Sequence, residues 1–212
     1  MVKVKICGIT NWTDARNAFE AGADFLGFNF YRLSPRYIAP AAARRIVRRL
    51  PEGILSVGVF VNEPEAETLL IARKVGLDFV QLHGDEPPEV VSHLKRTVPV
   101  IKALRVRGAL STAELARFRG ASAVLLDGFD RKLRGGTGKR IDWKSARRVG
   151  SKRRIFLAGG VTPENAAEAV VAARPYAIDV CSGVESRPGK KDAARMRALV
   201  QAVRSAKKTT KR

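Results

Sequence analysis

Cysteine and histidine are scarce: Cys7, Cys181, His83 and His93 are the full complement in 212 residues. With no Cys-x-x-Cys spacing, this excludes a disulfide framework and argues against a zinc site built wholly from protein ligands. No apolar run approaches the ~18 residues that mark a membrane helix. Low-complexity blocks and Ser/Gly/Pro-rich stretches are also missing, so nothing reads as a linker. The N-terminus enters an alternating strand directly, without an apolar leader core or a cleavage site, and a leaderless cytoplasmic protein is expected.

Acidic residues are the other shortage. Lysine and arginine total 40 against 20 acids, a formal charge of +20. A field of that sign attracts nucleic acid, anionic membrane or a small anionic substrate, and charge alone does not choose among them. Many of the basic residues fall where a solvated helix face would be, Arg44, Arg45, Arg48 and Arg49 among them. Aromatics make up only 7% of the chain and mostly lie in predicted strands. The interleaving of bases and rings that binds single strands is therefore absent, and neither nucleic acid nor membrane is an expected partner.

What the sequence has in quantity is alternation. Short β-rich runs at 2–6, 25–30, 55–61, 79–82, 98–103, 123–126, 155–157 and 177–180 are separated by helix-periodic runs at 13–21, 40–50, 64–75, 87–95, 112–118, 142–149, 163–173 and 191–205. Thr162 can cap a helix with Pro163 at its first position, and Pro40 and Pro64 also stand at starts. Eight strands each followed by a helix predict an α/β fold, a compact (β/α)8 TIM barrel with a parallel eight-stranded sheet. One barrel domain over 1–206 and a frayed basic tail over 207–212 are expected. A doubly wound open sheet is the alternative, but the first turn reads Cys7-Gly8-Ile9-Thr10, without the GxGxxG fingerprint.

In such a barrel the chemistry gathers at strand C-terminal ends. Period-2 alternation puts Lys3, Lys5 and Cys7 on one face and Val2, Val4 and Ile6 on the other. If the aliphatic set faces the helices, Cys7 points inward, as a working thiol or as the small buried hydrophobe that free cysteine usually is. "AVLLDGF" leaves Asp127 at the rim of a dry interior, "VQLHGDE" puts Gln81 and His83 on one face, and Arg36 lies on the loop after the second strand. In "LAGGVTPENA", Gly159 and Gly160 let backbone N–H groups approach an anion, or simply make a tight turn. "DVCSGVESRPG" offers Ser182 and Gly183 at the start of a possible short extra helix. Phosphate sites after the seventh and eighth strands recur in barrels. The "GGTGKR" at 135–140 lacks the first glycine and the Ser/Thr of a P-loop and reads as a loop.

Taken in order, "KICGIT", "GFNFYRLSPRYI", "VGVFVN", "VQLHGDE", "LLDGF…GGTGKRIDW", "LAGGVTPENA" and "IDVCSGVESRPGKKD" resemble the phosphoribosylanthranilate isomerases of tryptophan biosynthesis over almost the whole chain. The resemblance implies an aldose–ketose isomerase working by acid–base chemistry, with no cofactor and no metal. The implied reaction is an Amadori rearrangement of N-(5-phosphoribosyl)anthranilate to 1-(2-carboxyphenylamino)-1-deoxyribulose 5-phosphate. It further implies Cys7 as general base, Asp127 as general acid, Arg36 as clamp for the anthranilate carboxylate, and Gly160, Ser182 and Gly183 as phosphate ligands. His83 becomes a pocket wall, and Asp179 either touches substrate or pairs with Lys5. The ordinary values of a thiol, ~8.5, and an aspartate, ~3.9, mean that the base needs nearby positive charge and the acid needs desolvation or a negative neighbour.

The histidine-pathway Amadori isomerase is a neighbouring alternative, against which Cys7 speaks, since an aspartate would close the first strand. The expected partner is a phosphosugar carrying an anthranilate, bound by a monomer or homodimer. One departure from the family pattern is Cys181, where serine is anticipated. It shares strand-face parity with Asp179, and the first and last strands of a barrel are neighbours. Cys181 is thus expected near Cys7, either as a small core residue or as a source of sensitivity to oxidation.

Overall fold

A computed structural model describes residues 1–106, 112–128, 143–150 and 153–206. The expected loop at 135–140, the helix start at 142 and the tail at 207–212 lie outside the described residues.

Eight parallel strands close into a barrel in sequence order: β1 (Lys3–Cys7), β2 (Phe25–Asn29), β3 (Leu55–Phe60), β4 (Phe79–Leu82), β5 (Val100–Val106), β6 (Ala123–Gly128), β7 (Ile155–Leu157) and β8 (Ala177–Val180). Between and after them run α1 (Trp12–Glu20), α2 (Pro40–Val47), α3 (Glu65–Val75), α4 (Pro88–Leu94), α5 (Thr112–Arg117), α6 (Trp143–Gly150), α7 (Ala166–Ala173) and α8 (Ala193–Ser205). The barrel seals where β1 pairs with β8, Lys5 facing Asp179 and Ile6 facing Val180. Closure removes every strand edge and rules out the doubly wound alternative.

Side-chain alternation divides the interior into two cores. Val4, Ile6, Leu26, Phe28, Val124 and Leu126 face outward and pack under the helices. Phe25, Val57, Ile101, Leu125 and Phe156 face inward with Ala177. Phe25 stands edge-on to Phe156 at 5.2 Å and to Phe79 at 6.0 Å, and Phe156 meets Tyr176 at 5.6 Å. Full burial of such a ring, as at Phe25 and Phe156, contributes about 1.5–3 kcal/mol, and with the partly buried Phe79 and Tyr176 they plug the lower barrel. The strand C-terminal ends above them are left to polar groups.

The observed boundaries differ from the sequence reading in instructive places. Helix α7 starts at Ala166 rather than at 163, because the Thr162 amide donates to the Asn165 side chain at 2.9 Å and residues 163–165 form a turn. Lys191 does not open the last helix: Asp192 caps it, accepting from the Arg195 amide at 3.0 Å. Lys191 instead belongs to a small antiparallel hairpin, β9 (Glu185–Arg187) and β10 (Lys190–Lys191), preceded by a 3-10 turn at Ser182–Val184. Strand β5 runs to Val106, three residues past its expected end. Among the described residues no helix is long and apolar enough to cross a membrane.

Candidate active site

Every residue singled out from sequence lines one cavity of about 620 Å³ at the C-terminal mouth of the barrel: Cys7, Arg36, His83, Asp127, Gly159, Gly160, Asp179, Ser182 and Gly183. Cys7 ends β1 and Asp127 lies near the end of β6; both are buried.

Cys7 stands among cations. Beneath it Lys5, wholly buried, donates to Asp179 at 2.8 Å, so the pairing half of the Asp179 expectation is what the fold contains. Asp179 nonetheless also faces the cavity. Burial would lower the Lys5 ammonium, but the Asp179 carboxylate and the Cys7 sulfur outweigh it and hold its pKa above the ordinary lysine value. Burial, helped by the charge of Cys7 and opposed by Lys5, pushes Asp179 up to about 6. Cys181 does lie beside Cys7. The hydrogen bond it gives, with the positive charges of Lys5 and Lys191, holds the Cys7 thiol well below its ordinary range despite burial. The same contact and its own burial push Cys181 up. The two shifts run in opposite directions and favour the thiolate at Cys7 over Cys181.

Opposite, Asp127 Oδ2 lies 3.3 Å from His83 Nε2, while Gln81 Nε2 contacts His83 Nδ1 at 2.8 Å and fixes the ring. Gln81 was noted in the sequence only as sharing a face with His83. The contact shows it to be the group that orients the imidazole.

The arginine loop is built from its own short polar side chains. Asn29 donates to Ser34 Oγ at 3.0 Å and accepts from the Tyr31 amide, and Ser34 Oγ accepts from the Arg36 amide at 3.1 Å. This Asx-type folding turns the chain so that Arg36 reaches back over the mouth.

The loops after β7 and β8 meet at the far rim. Gly159 and Gly160 have φ of +77° and +69°, the left-handed region that turns successive amides to one side. A Cβ at Gly159 would stand 2.4 Å from the Gly128 amide nitrogen and 3.1 Å from Asp127 Oδ1. At Gly183 a Cβ would lie 2.2 Å from the Val161 carbonyl oxygen, so the two loops approach only because that side chain is missing. Asn165 secures the first loop by donating to the Gly160 carbonyl at 2.9 Å. The result is an amide-lined concavity suited to an anion.

Sequence reasoning passed over Glu185 and Lys191, which lie buried on the hairpin behind the mouth, Glu185 holding Arg36 and Lys191. The Pro188-Gly189 step was the available signal, since Pro-Gly marks a turn.

Fold and cavity together define a class: (β/α)8 barrels whose mouths hold small anionic molecules between acid–base side chains and an amide cradle. Residues 4–202 match the model of the N-(5'-phosphoribosyl)anthranilate (PRA) isomerase family, and the chain belongs to that family. It is 51% identical over 200 residues to the N-(5'-phosphoribosyl)anthranilate isomerase of Citrifermentans bemidjiense, covering 94% of this chain and 96% of that one. The crystal structure of phosphoribosyl anthranilate isomerase from Thermotoga maritima superposes with a TM-score of 0.90 at 41% identity, covering 96% of this chain and 99% of the other. A structure of phosphoribosyl anthranilate isomerase in complex with reduced 1-(o-carboxyphenylamino)-1-deoxyribulose 5-phosphate gives 0.86 at 41% identity with the same coverage.

Proposed function

We propose that this chain catalyses the Amadori rearrangement of N-(5-phosphoribosyl)anthranilate in tryptophan biosynthesis, with Asp127 as general acid and Cys7 as general base. The observation that carries the roles is the separation of the two groups. The Cys7 sulfur beside Lys5 on β1 and the buried Asp127 carboxyl group on β6 line a single cavity large enough for a phosphosugar.

Asp127, as general acid, gives a proton to the furanose ring oxygen. The C1–O bond breaks as the anilino nitrogen lone pair forms the C1=N bond of a Schiff base. Cys7 thiolate then removes the C2 proton, and the electron pair left behind becomes the C1=C2 bond of an enolamine while nitrogen regains its lone pair. Tautomerisation of the enol to the ketone moves a proton from oxygen to C1 and completes an isomerisation with no net oxidation. Arg36 holds the ring carboxylate by a planar, bidentate contact, and the amides around Gly159, Gly160, Ser182 and Gly183 hold the phosphate. His83 walls the pocket on the acid side. The substrate is thus fixed at both anionic ends while its C1–C2 segment lies between acid and base. Both thiols are free, which suits a reducing compartment, and the reading puts the enzyme in the cytoplasm.

The test is decay of anthranilate fluorescence when phosphoribosylanthranilate is generated in the presence of wild type, Cys7→Ser and Asp127→Asn. Each variant should fold as wild type does and lose about 10²–10⁴-fold in kcat, the usual worth of one acid–base group. Wild-type activity retained by either variant would remove that residue from the mechanism.

A further inference from the structure

The hairpin of β9 and β10 carries two charged side chains that the proton transfers do not use, and both are buried. Glu185 has 4% of its side chain exposed and Lys191 none. Glu185 meets Arg36 along one edge: Nε donates to Oε1 at 2.9 Å and Nη2 to Oε2 at 2.7 Å. Oε1 also accepts from Lys191 Nζ at 2.9 Å and from the Gly189 amide at 3.2 Å. Lys191 Nζ in turn donates to the Cys181 carbonyl at 3.1 Å. The hairpin is itself fastened to the first βα unit. The Thr10 hydroxyl donates to the Gly189 carbonyl at 2.7 Å, and Asp14 accepts from the Lys191 amide at 2.9 Å and from Lys190 Nζ at 2.8 Å.

A guanidinium offers two bidentate edges, one formed by Nε with a terminal nitrogen and one by the two terminal nitrogens. Glu185 fills the first, and Arg36 lines the cavity with what is left. We infer that Glu185 is a positioning residue, gripping Arg36 by its inner edge so that the outer edge is already aimed at the substrate's ring carboxylate. This rests on the isomerase reading and extends it to a residue that touches no reacting atom.

Two physical arguments support it. An arginine left to itself loses about 2 kcal/mol of rotamer freedom when a ligand orders it, whereas here the fold has ordered it beforehand. A carboxylate beside the clamp would by itself repel the substrate's carboxylate, and Lys191 removes that objection: two cations against one anion leave the trio net positive. Burial would raise the Glu185 carboxyl, but the Arg36 hydrogen bonds and the Lys191 charge outweigh it and keep it ionised.

A residue that only anchored the hairpin would cost stability and activity without regard to the substrate's carboxylate. The discriminating experiment compares phosphoribosylanthranilate with its aniline counterpart, which lacks that group, for wild type, Glu185→Gln, Arg36→Met and the double variant. Glu185→Gln should raise KM for the anthranilate substrate about tenfold or more, with kcat changed less than threefold, as expected for loss of a charge-assisted contact. Its KM for the aniline substrate should stay at the wild-type value, and the double variant should be no worse than Arg36→Met. Equal losses on both substrates, or additive losses in the double variant, would overturn the assignment. If Glu185→Gln does not fold, Glu185→Asp, which keeps the charge but withdraws it by one methylene, supports or overturns it by the same comparison. Wild type inert towards both compounds would instead overturn the isomerase reading itself, and the Glu185 assignment with it.

Discussion

Replacing Gly159 by alanine sets a backbone constraint against catalysis at a residue with no side chain of its own. At φ +77° an L-residue costs about 1–2 kcal/mol over glycine. The added Cβ would also stand 2.4 Å from the Gly128 amide nitrogen, a backbone atom with no rotamer to escape into. Overpacking of this kind adds about 1–3 kcal/mol. For a chain of this length the total, about 2–5 kcal/mol, lowers Tm by roughly 4–20 °C. Restoring an ordinary contact requires the end of β6 to move by about 1 Å, and because Asp127 immediately precedes Gly128 the shift falls on the proposed general acid, worth about 10²-fold in rate. Thermal melts and the fluorescence assay, run well below the lowered Tm, separate the two effects. A folded Gly159→Ala enzyme with kcat within threefold of wild type would refute the argument that this glycine holds the place of Asp127.

Titration of Asp179 gives a signed prediction for stability. With its carboxyl at about 6 in the fold and near the ordinary ~3.9 unfolded, the folded state binds more protons between those values, so this group's contribution to stability falls as pH rises from about 4 to about 6. Wild type should therefore lose up to roughly 3 kcal/mol relative to Asp179→Asn over that window. Denaturant melts of both at pH 4, 5, 6 and 7 check this, and a constant difference would refute it. Hydrogen peroxide should inactivate wild type by forming a Cys7–Cys181 disulfide, two thiols giving their hydrogens to yield two waters, and thiol reductant should restore it. Cys181→Ser should resist reversible loss, and mass spectrometry that finds no cross-link in oxidised wild type would sink the idea.

The barrel was legible because each βα unit writes the same pattern, and β4, β7 and β8 fall where the pattern puts them. Asp127 could be placed because a carboxylate after a run of apolar residues sits at a mouth, and Cys7 because alternation puts it on one face with Lys5 at the end of the first strand. Glu185 and Lys191 could not. A charged residue in a charged stretch looks solvated, and their burial depends on Arg36 lying 149 positions away in sequence from Glu185. Lys191 was further disguised by the helix beside it, whose start is fixed by the cap at Asp192 rather than by the run of apolar positions. The excess of β5 escaped notice because Arg105 broke a strand pattern that its pairing with Asp127 on β6 continues.

The seam where β1 meets β8 is locked twice, once by the ladder and again by the hairpin bound to Thr10 and Asp14. Cys7 and Lys5 come from the first βα unit; Cys181, Glu185 and Lys191 come from the last. Catalytic competence is thus a property of closure. On the proposed roles the base emerges early in synthesis and gains its full setting only when the final βα unit docks, so turnover would report that the ring has been sealed.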